Sequence, residues 1–100
     1  MTLDFFEARG HKTQRSHPGT QEGYVHSLGH GIGLNVHEAP AISERSKNQV
    51  QAGNVITIEP GLYYPDRGWG VRVEDAVYVD AQGSLHKLTD FPYDFVLPVK

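Results

Sequence analysis

The pattern of apolar and polar positions changes character several times along the chain. In Leu3 to Arg9 apolar residues recur at helix-compatible spacing and the pattern stops at Gly10, which suits a helix C-cap; the segment predicts the last turns of a helix. From His11 to Glu22 polar residues dominate, Pro18 and Gly19 interrupt, and neither the helical nor the strand period is present. A loop is expected there. Tyr24 to Leu28 predicts a short strand, after which Gly29, Gly31 and Gly33 alternate with His30, Ile32 and Leu34. Glycine at that density excludes a stable helix, so His26 and His30, although four apart, cannot form a helical histidine pair.

Val55 to Tyr64 and Val71 to Val79 predict the two clearest strands, with Pro65-Asp66-Arg67-Gly68 supplying turn residues and a Trp69-bearing loop between them. Side chains alternate faces along a strand, which puts Val71, Val73, Val77 and Val79 on one parity and Arg72, Glu74, Ala76 and Tyr78 on the other. In the first strand Thr57 and Glu59 share a parity. If the apolar faces pack together, Glu59, Glu74 and Arg72 leave the same opposite face. Asp80-Ala81-Gln82-Gly83 reads as a turn, Ser84 to Thr89 as a last edge strand, and the tail with Pro92 and Pro98 as irregular. One helix with an antiparallel sheet places the chain in the α+β class. No repeat, low-complexity tract or linker divides it, so residues 1–100 are expected to form one domain.

Composition narrows the function. With 38% apolar and 21% charged residues the chain has ordinary globular character, and no apolar stretch approaches the ~20 residues needed to cross a bilayer. Nine basic against twelve acidic residues give a formal charge of -3 without a basic run, which argues against nucleic acid as a partner. Cysteine is absent, so any metal must be held by nitrogen and oxygen. Met1 to Gly10 lack the regions of a secretory signal, and a cytoplasmic location is expected by default. Five of the six histidines (His11, His17, His26, His30 and His37) fall in the first 37 residues. A polar, solvated N-terminal half would explain this, and so would a site, because imidazole is a common metal ligand and proton carrier.

Two carboxylates on adjacent strands of one sheet face repel each other unless a cation, a proton or an arginine lies between them. Arg72 as counter-ion on a solvated face satisfies that requirement. A metal satisfies it too. Glu59 precedes Pro60-Gly61, which ends regular pairing and puts the carboxylate at a strand end where polar groups can converge. Carboxylates plus one imidazole suit Mn²⁺, Co²⁺ or Zn²⁺, and Gly29 and Gly31 leave no side chains in the way of a close approach by His30. A histidine held only by hydrogen bonds in a loop or core is the plainer alternative for His30 taken alone.

The surrounding text adds a family. His26-Ser27-Leu28-Gly29-His30-Gly31-Ile32-Gly33-Leu34-Asn35-Val36-His37-Glu38, then Ile56-Thr57-Ile58-Glu59-Pro60-Gly61, then Gly70-Val71-Arg72-Val73-Glu74-Asp75, resembles the C-terminal half of the catalytic domain of the M24 metallopeptidases. That is the pita-bread fold of methionine aminopeptidase, Xaa-Pro aminopeptidase and prolidase, a helix-backed, curved antiparallel sheet. The resemblance runs from about Leu3 to Val79 or beyond, with three motifs in order. Arg72 two residues before Glu74, and His26 four before His30, are similar to the Xaa-Pro aminopeptidase and prolidase branch.

The resemblance implies that His30, Glu59 and Glu74 are metal ligands, with Glu74 bridging two divalent ions. Mn²⁺ is the first expectation for those ions and Co²⁺ or Zn²⁺ the alternatives. It implies that His26 and His37 meet the substrate or tetrahedral intermediate, that Arg72 orients the carboxylates, and that Glu59 is also general base. The reaction implied is hydrolysis of the bond between an N-terminal residue and proline, with a peptide carrying proline at its second position as substrate. The family's shell also takes two aspartates from an upstream strand pair, whereas Asp4 is the only aspartate before His30 and lies in the expected helix. The chain is therefore expected to be part of a larger domain, with an exposed sheet edge that favours self-association into a homo-oligomer. A non-catalytic pita-bread module that binds peptide or metal is the alternative function. His11, His17 and His86 are expected at the surface.

Overall fold

The computed structural model describes residues 1–99. A single short helix, α1 (Thr2–Glu7), is followed by seven strands: β1 (Gly29–Gly31), β2 (Glu38–Ile42), β3 (Val55–Ile58), β4 (Gly61–Tyr64), β5 (Trp69–Arg72), β6 (Asp75–Val79) and β7 (Leu85–Lys87). The architecture is the expected α+β one, a helix with curved antiparallel sheet. No helix of the described residues is long and apolar enough to cross a membrane.

A five-stranded antiparallel sheet runs in the order β2-β1-β3-β6-β7, and a two-stranded one pairs β4 with β5. The two expected long strands are each broken in two. Pro60 has no N–H to donate, and the ladder opens around it. The register nevertheless continues through the break. Ile58 lies opposite Asp75 on one side of it and Gly61 opposite Arg72 on the other. Between these pairs the count sets Glu59 across from Glu74 and Pro60 across from Val73, whose N–H donates to the Pro60 carbonyl at 3.2 Å. One long hairpin thus bends where its two glutamates face each other. Its turn is a 3₁₀ turn, Pro65–Arg67, closed by Gly68 at φ 72°, a left-handed conformation that glycine adopts without cost.

The bend also divides the valines. Val77 and Val79 are buried with Ile56 beneath the large sheet, whereas Val71 and Val73 lie on the exposed part of the hairpin. Parity placed them together; the change of sheet separates them. His30 sits inside a strand rather than in a loop, and β2 had no counterpart in the hydrophobic pattern. Tyr24 to Leu28 does not form the expected strand: Tyr24 makes an isolated bridge with Thr13, next to one between Gly23 and Tyr63. The core is small. Phe6 of α1 packs on Tyr24 with ring centroids 5.1 Å apart, and His11 hydrogen-bonds the Tyr64 hydroxyl, so His11 belongs to this cluster rather than to the open surface. Thr13 is fully buried beneath the helix, where its hydroxyl donates to Glu7 Oε1 at 2.6 Å.

Candidate metal centre

Three elements bring His30, Glu59 and Glu74 together: the middle of β1, the residue after β3 and the residue before β6. One ligand atom from each lies within 4.8 Å of the others. The local reasons are distinct. β1 lies so close to its neighbours that a Cβ at Gly29 would stand 1.8 Å from the Thr57 carbonyl oxygen, and one at Gly31 would stand 2.1 Å from that of Ala39. Only glycine on both sides of His30 permits that approach. Glu59 is fixed by its own N–H, which donates to the Leu28 carbonyl at 2.7 Å as the chain turns away from β6.

His30 Nδ1 lies 2.9 Å from the Gly31 carbonyl oxygen, which can only accept, so that nitrogen carries the proton. Nε2 then faces Glu59 Oε1 at 3.0 Å. Both side chains are largely enclosed, 15% and 12% exposed. In the neutral ring, a nitrogen lone pair would meet a carboxylate oxygen, with the Glu74 carboxylate alongside. Three acceptors converging in this way require a shared proton or a cation between them. A nitrogen and carboxylate oxygens are the donor set of Mn²⁺, Co²⁺ or Zn²⁺, so the residues present fit a divalent ion.

A cleft of about 580 Å³ opens beside this cluster, lined among others by His26, His37, Glu38, Tyr63 and Arg72. His37, just before β2, sets its ring edge-to-face against His30 at 4.6 Å between centroids. His26 has both nitrogens engaged: Nδ1 donates to the Ser27 carbonyl at 2.7 Å, and Nε2 accepts from the Tyr63 hydroxyl at 3.1 Å. Arg72 Nε stands 3.9 Å from Glu74 Oε2, an exposed pair on the rim. Five of the six residues singled out in the sequence line this cleft, and the sixth, Glu74, joins His30 and Glu59 beside it. His17 and His86 lie away from it, as expected, with His86 bonded to Asp80 at 2.6 Å.

Two neighbours were not singled out. Tyr63 holds His26, and Thr57 bonds Glu59. The signal for Thr57 was present in its parity with Glu59; that for Tyr63 depends on the bend after Pro60, which no local pattern reports.

The bend of the antiparallel hairpin sets two carboxylates beside the β1 imidazole, a donor set that fits a divalent ion. The profile of metallopeptidase family M24 matches residues 3–81, and the chain belongs to that family. It is 51% identical over 61 residues to an Xaa-Pro dipeptidase of Pyrococcus furiosus, covering 61% of this chain and 17% of that protein. To an Xaa-Pro dipeptidase of Pyrococcus horikoshii it is 50% identical over 66 residues, covering 66% and 18%. The solved X-Pro aminopeptidase of Thermotoga maritima superposes with a TM-score of 0.61 at 46% identity, over 71% of this chain and 20% of that one. The chain spans about a fifth of the length of the relatives it matches.

Proposed function

We propose that residues 1–100 are the C-terminal half of the catalytic domain of a peptidase that hydrolyses the bond between an N-terminal residue and proline. The observation that carries this reading is the meeting of His30, Glu59 and Glu74 within 4.8 Å beside a cleft lined by His26, His37 and Arg72. The names of the relatives, Xaa-Pro dipeptidase and X-Pro aminopeptidase, support the substrate class.

His30 Nε2 and the carboxylates of Glu59 and Glu74 hold the metal, Mn²⁺ first, with Co²⁺ and Zn²⁺ as alternatives. Two such ions would supply Lewis-acid chemistry there, acidifying water and neutralising charge that develops on the scissile carbonyl oxygen. Glu74, opposite Glu59 across the hairpin, would supply the second carboxylate that holds them. The Glu59 carboxylate takes the proton of the attacking water and passes it to the imino nitrogen of the leaving proline. His37, packed on His30 at the mouth, donates a hydrogen bond to the tetrahedral oxyanion. His26, held by Tyr63, contacts the substrate, and Arg72 orients Glu74. The exposed apolar side chains of Leu34, Val36, Phe95 and Val96 fit burial against further protein, which supports a homo-oligomer or a larger domain. The cytoplasm is the proposed location.

The test is divalent-ion binding by the purified chain together with release of the N-terminal residue from an Xaa-Pro dipeptide or tripeptide. Metal-dependent turnover, however slow, that disappears in Glu59→Gln supports the peptidase. Tight binding without turnover moves the assignment to a metal-binding module, and absence of binding removes both.

A further inference from the structure

Thr57 lies in the middle of β3, flanked by β1 and β6, and its residue is only 5% exposed. Its hydroxyl is on the same side of the strand as Glu59 and makes two hydrogen bonds. The His30 backbone N–H donates to Oγ1 at 3.0 Å, and Oγ1 lies 3.1 Å from Glu59 Oε1. The direction of both is forced. An amide N–H only donates and a carboxylate only accepts, so the single hydroxyl proton goes to Glu59 while an oxygen lone pair receives His30. The approach depends on Gly29, whose missing side chain lets β1 settle against the Thr57 backbone.

Folding asks for an acceptor for the His30 N–H, but not for the hydroxyl's donation to Glu59. Valine has the same branched shape, prefers strands, and has no polar atom to satisfy in a buried position. What threonine adds over valine is a bridge from the backbone of one ligand residue to the carboxylate of another. Glutamate has several rotatable bonds, and without an anchor its carboxylate samples positions away from His30 Nε2.

We propose that Thr57 is a positioning residue for the metal centre. Its hydroxyl ties Glu59 Oε1 to the His30 main chain and so presets the 3.0 Å separation of Oε1 from His30 Nε2. This rests on the metal-site reading above. Outer hydrogen bonds of this kind orient ligands before the ion arrives, and their loss typically weakens metal binding by about 10–100-fold.

The experiment compares the full chain with its Thr57→Val and Thr57→Ser variants, by equilibrium dialysis against Mn²⁺ and by side-chain carbon relaxation of Glu59 in the metal-free protein. Thr57→Val is expected to bind Mn²⁺ at least roughly tenfold more weakly and to mobilise the Glu59 side chain, while Thr57→Ser restores both. Circular dichroism checks that the variants are folded. Should Thr57→Val fail to fold, Thr57→Ala measured beside Thr57→Ser decides in the same way. A folded hydroxyl-free variant with unchanged affinity and unchanged Glu59 mobility overturns the proposal. If the unsubstituted chain binds no Mn²⁺, the metal-site reading falls, and Glu59 mobility still decides the role of Thr57.

Discussion

His30 Nε2 faces Glu59 Oε1 at 3.0 Å while Nδ1 is already committed to the Gly31 carbonyl. The ring's one free nitrogen is thus aimed at a carboxylate, with a second carboxylate, Glu74, directly across the hairpin. Like charges opposite each other on paired strands are destabilising, and the ladder is interrupted at this pair. The site has the electrostatics of a cation receptor before any cation is considered.

Removing one receptor group therefore has a defined outcome. His30→Ala and Glu74→Gln are each expected to reduce Mn²⁺ affinity by more than the roughly 10–100-fold typical of groups outside the ligand shell. Equilibrium dialysis measures it. Glu74→Gln also removes the like-charge contact, so its metal-free unfolding midpoint in urea is expected to match or exceed that of the unsubstituted chain.

The 100 residues contain one aspartate before His30, in α1 and remote from the cleft. Three ligands hold one ion more readily than two. Titration calorimetry is expected to give about one weakly bound Mn²⁺ per chain, with little or no release of N-terminal residues from Xaa-Pro peptides. Robust turnover by a pure sample contradicts this.

The glycines flanking His30 supply a structural prediction. A Cβ at Gly29 or Gly31 would stand 1.8 Å or 2.1 Å from a backbone oxygen, which cannot move aside as a flexible side chain can. Gly29→Ala and Gly31→Ala are each expected to cost about 2 kcal/mol or more by urea unfolding, with β1 displaced from β3.

Acid should loosen α1 from its loop. Arg15 Nη2 lies 2.6 Å from Asp4 Oδ1 and 2.7 Å from Glu7 Oε2. The guanidinium holds both carboxyls below their ordinary range, with the Thr13 hydroxyl adding to the effect on Glu7. A carboxyl whose folded pKa is depressed contributes stability above its unfolded value, about 4, and loses it as pH falls through the folded value. Amide exchange of Ala8 and His17 is expected to quicken below about pH 4, measured relative to a core amide such as Val77. Arg15→Gln should reduce the pH dependence, leaving the smaller part due to the N-terminal amine at Asp4 and the Thr13 hydroxyl at Glu7.

Tyr24 gives the alkaline counterpart. Burial, with the nearby Glu59 charge second, pushes its hydroxyl up to about 12. Because the folded value is raised, this contribution is complete below the unfolded pKa of about 10 and is lost as pH rises from there through about 12. Absorbance titration is expected to show one late tyrosine, absent in Tyr24→Phe.

The sequence by itself determined the ingredients: glycines around His30, Glu59 ahead of Pro60-Gly61, and a hairpin whose parity put Glu59, Glu74 and Arg72 on one face. These are local properties, set by backbone freedom, a missing N–H and the alternation of side chains. It also carried the family motifs on which the ligand set was named. Only the tertiary structure decided that the hairpin bends at the two glutamates, that Val71 and Val73 leave the core, and that His30 sits in a strand between β2 and β3. It likewise decided that Thr57 and Tyr63 hydrogen-bond Glu59 and His26 and that His11 joins the aromatic cluster. Each of these depends on hydrogen bonds and packing between segments far apart in the chain, and hydrophobic periodicity says which way a side chain faces without saying which strand will lie beside it.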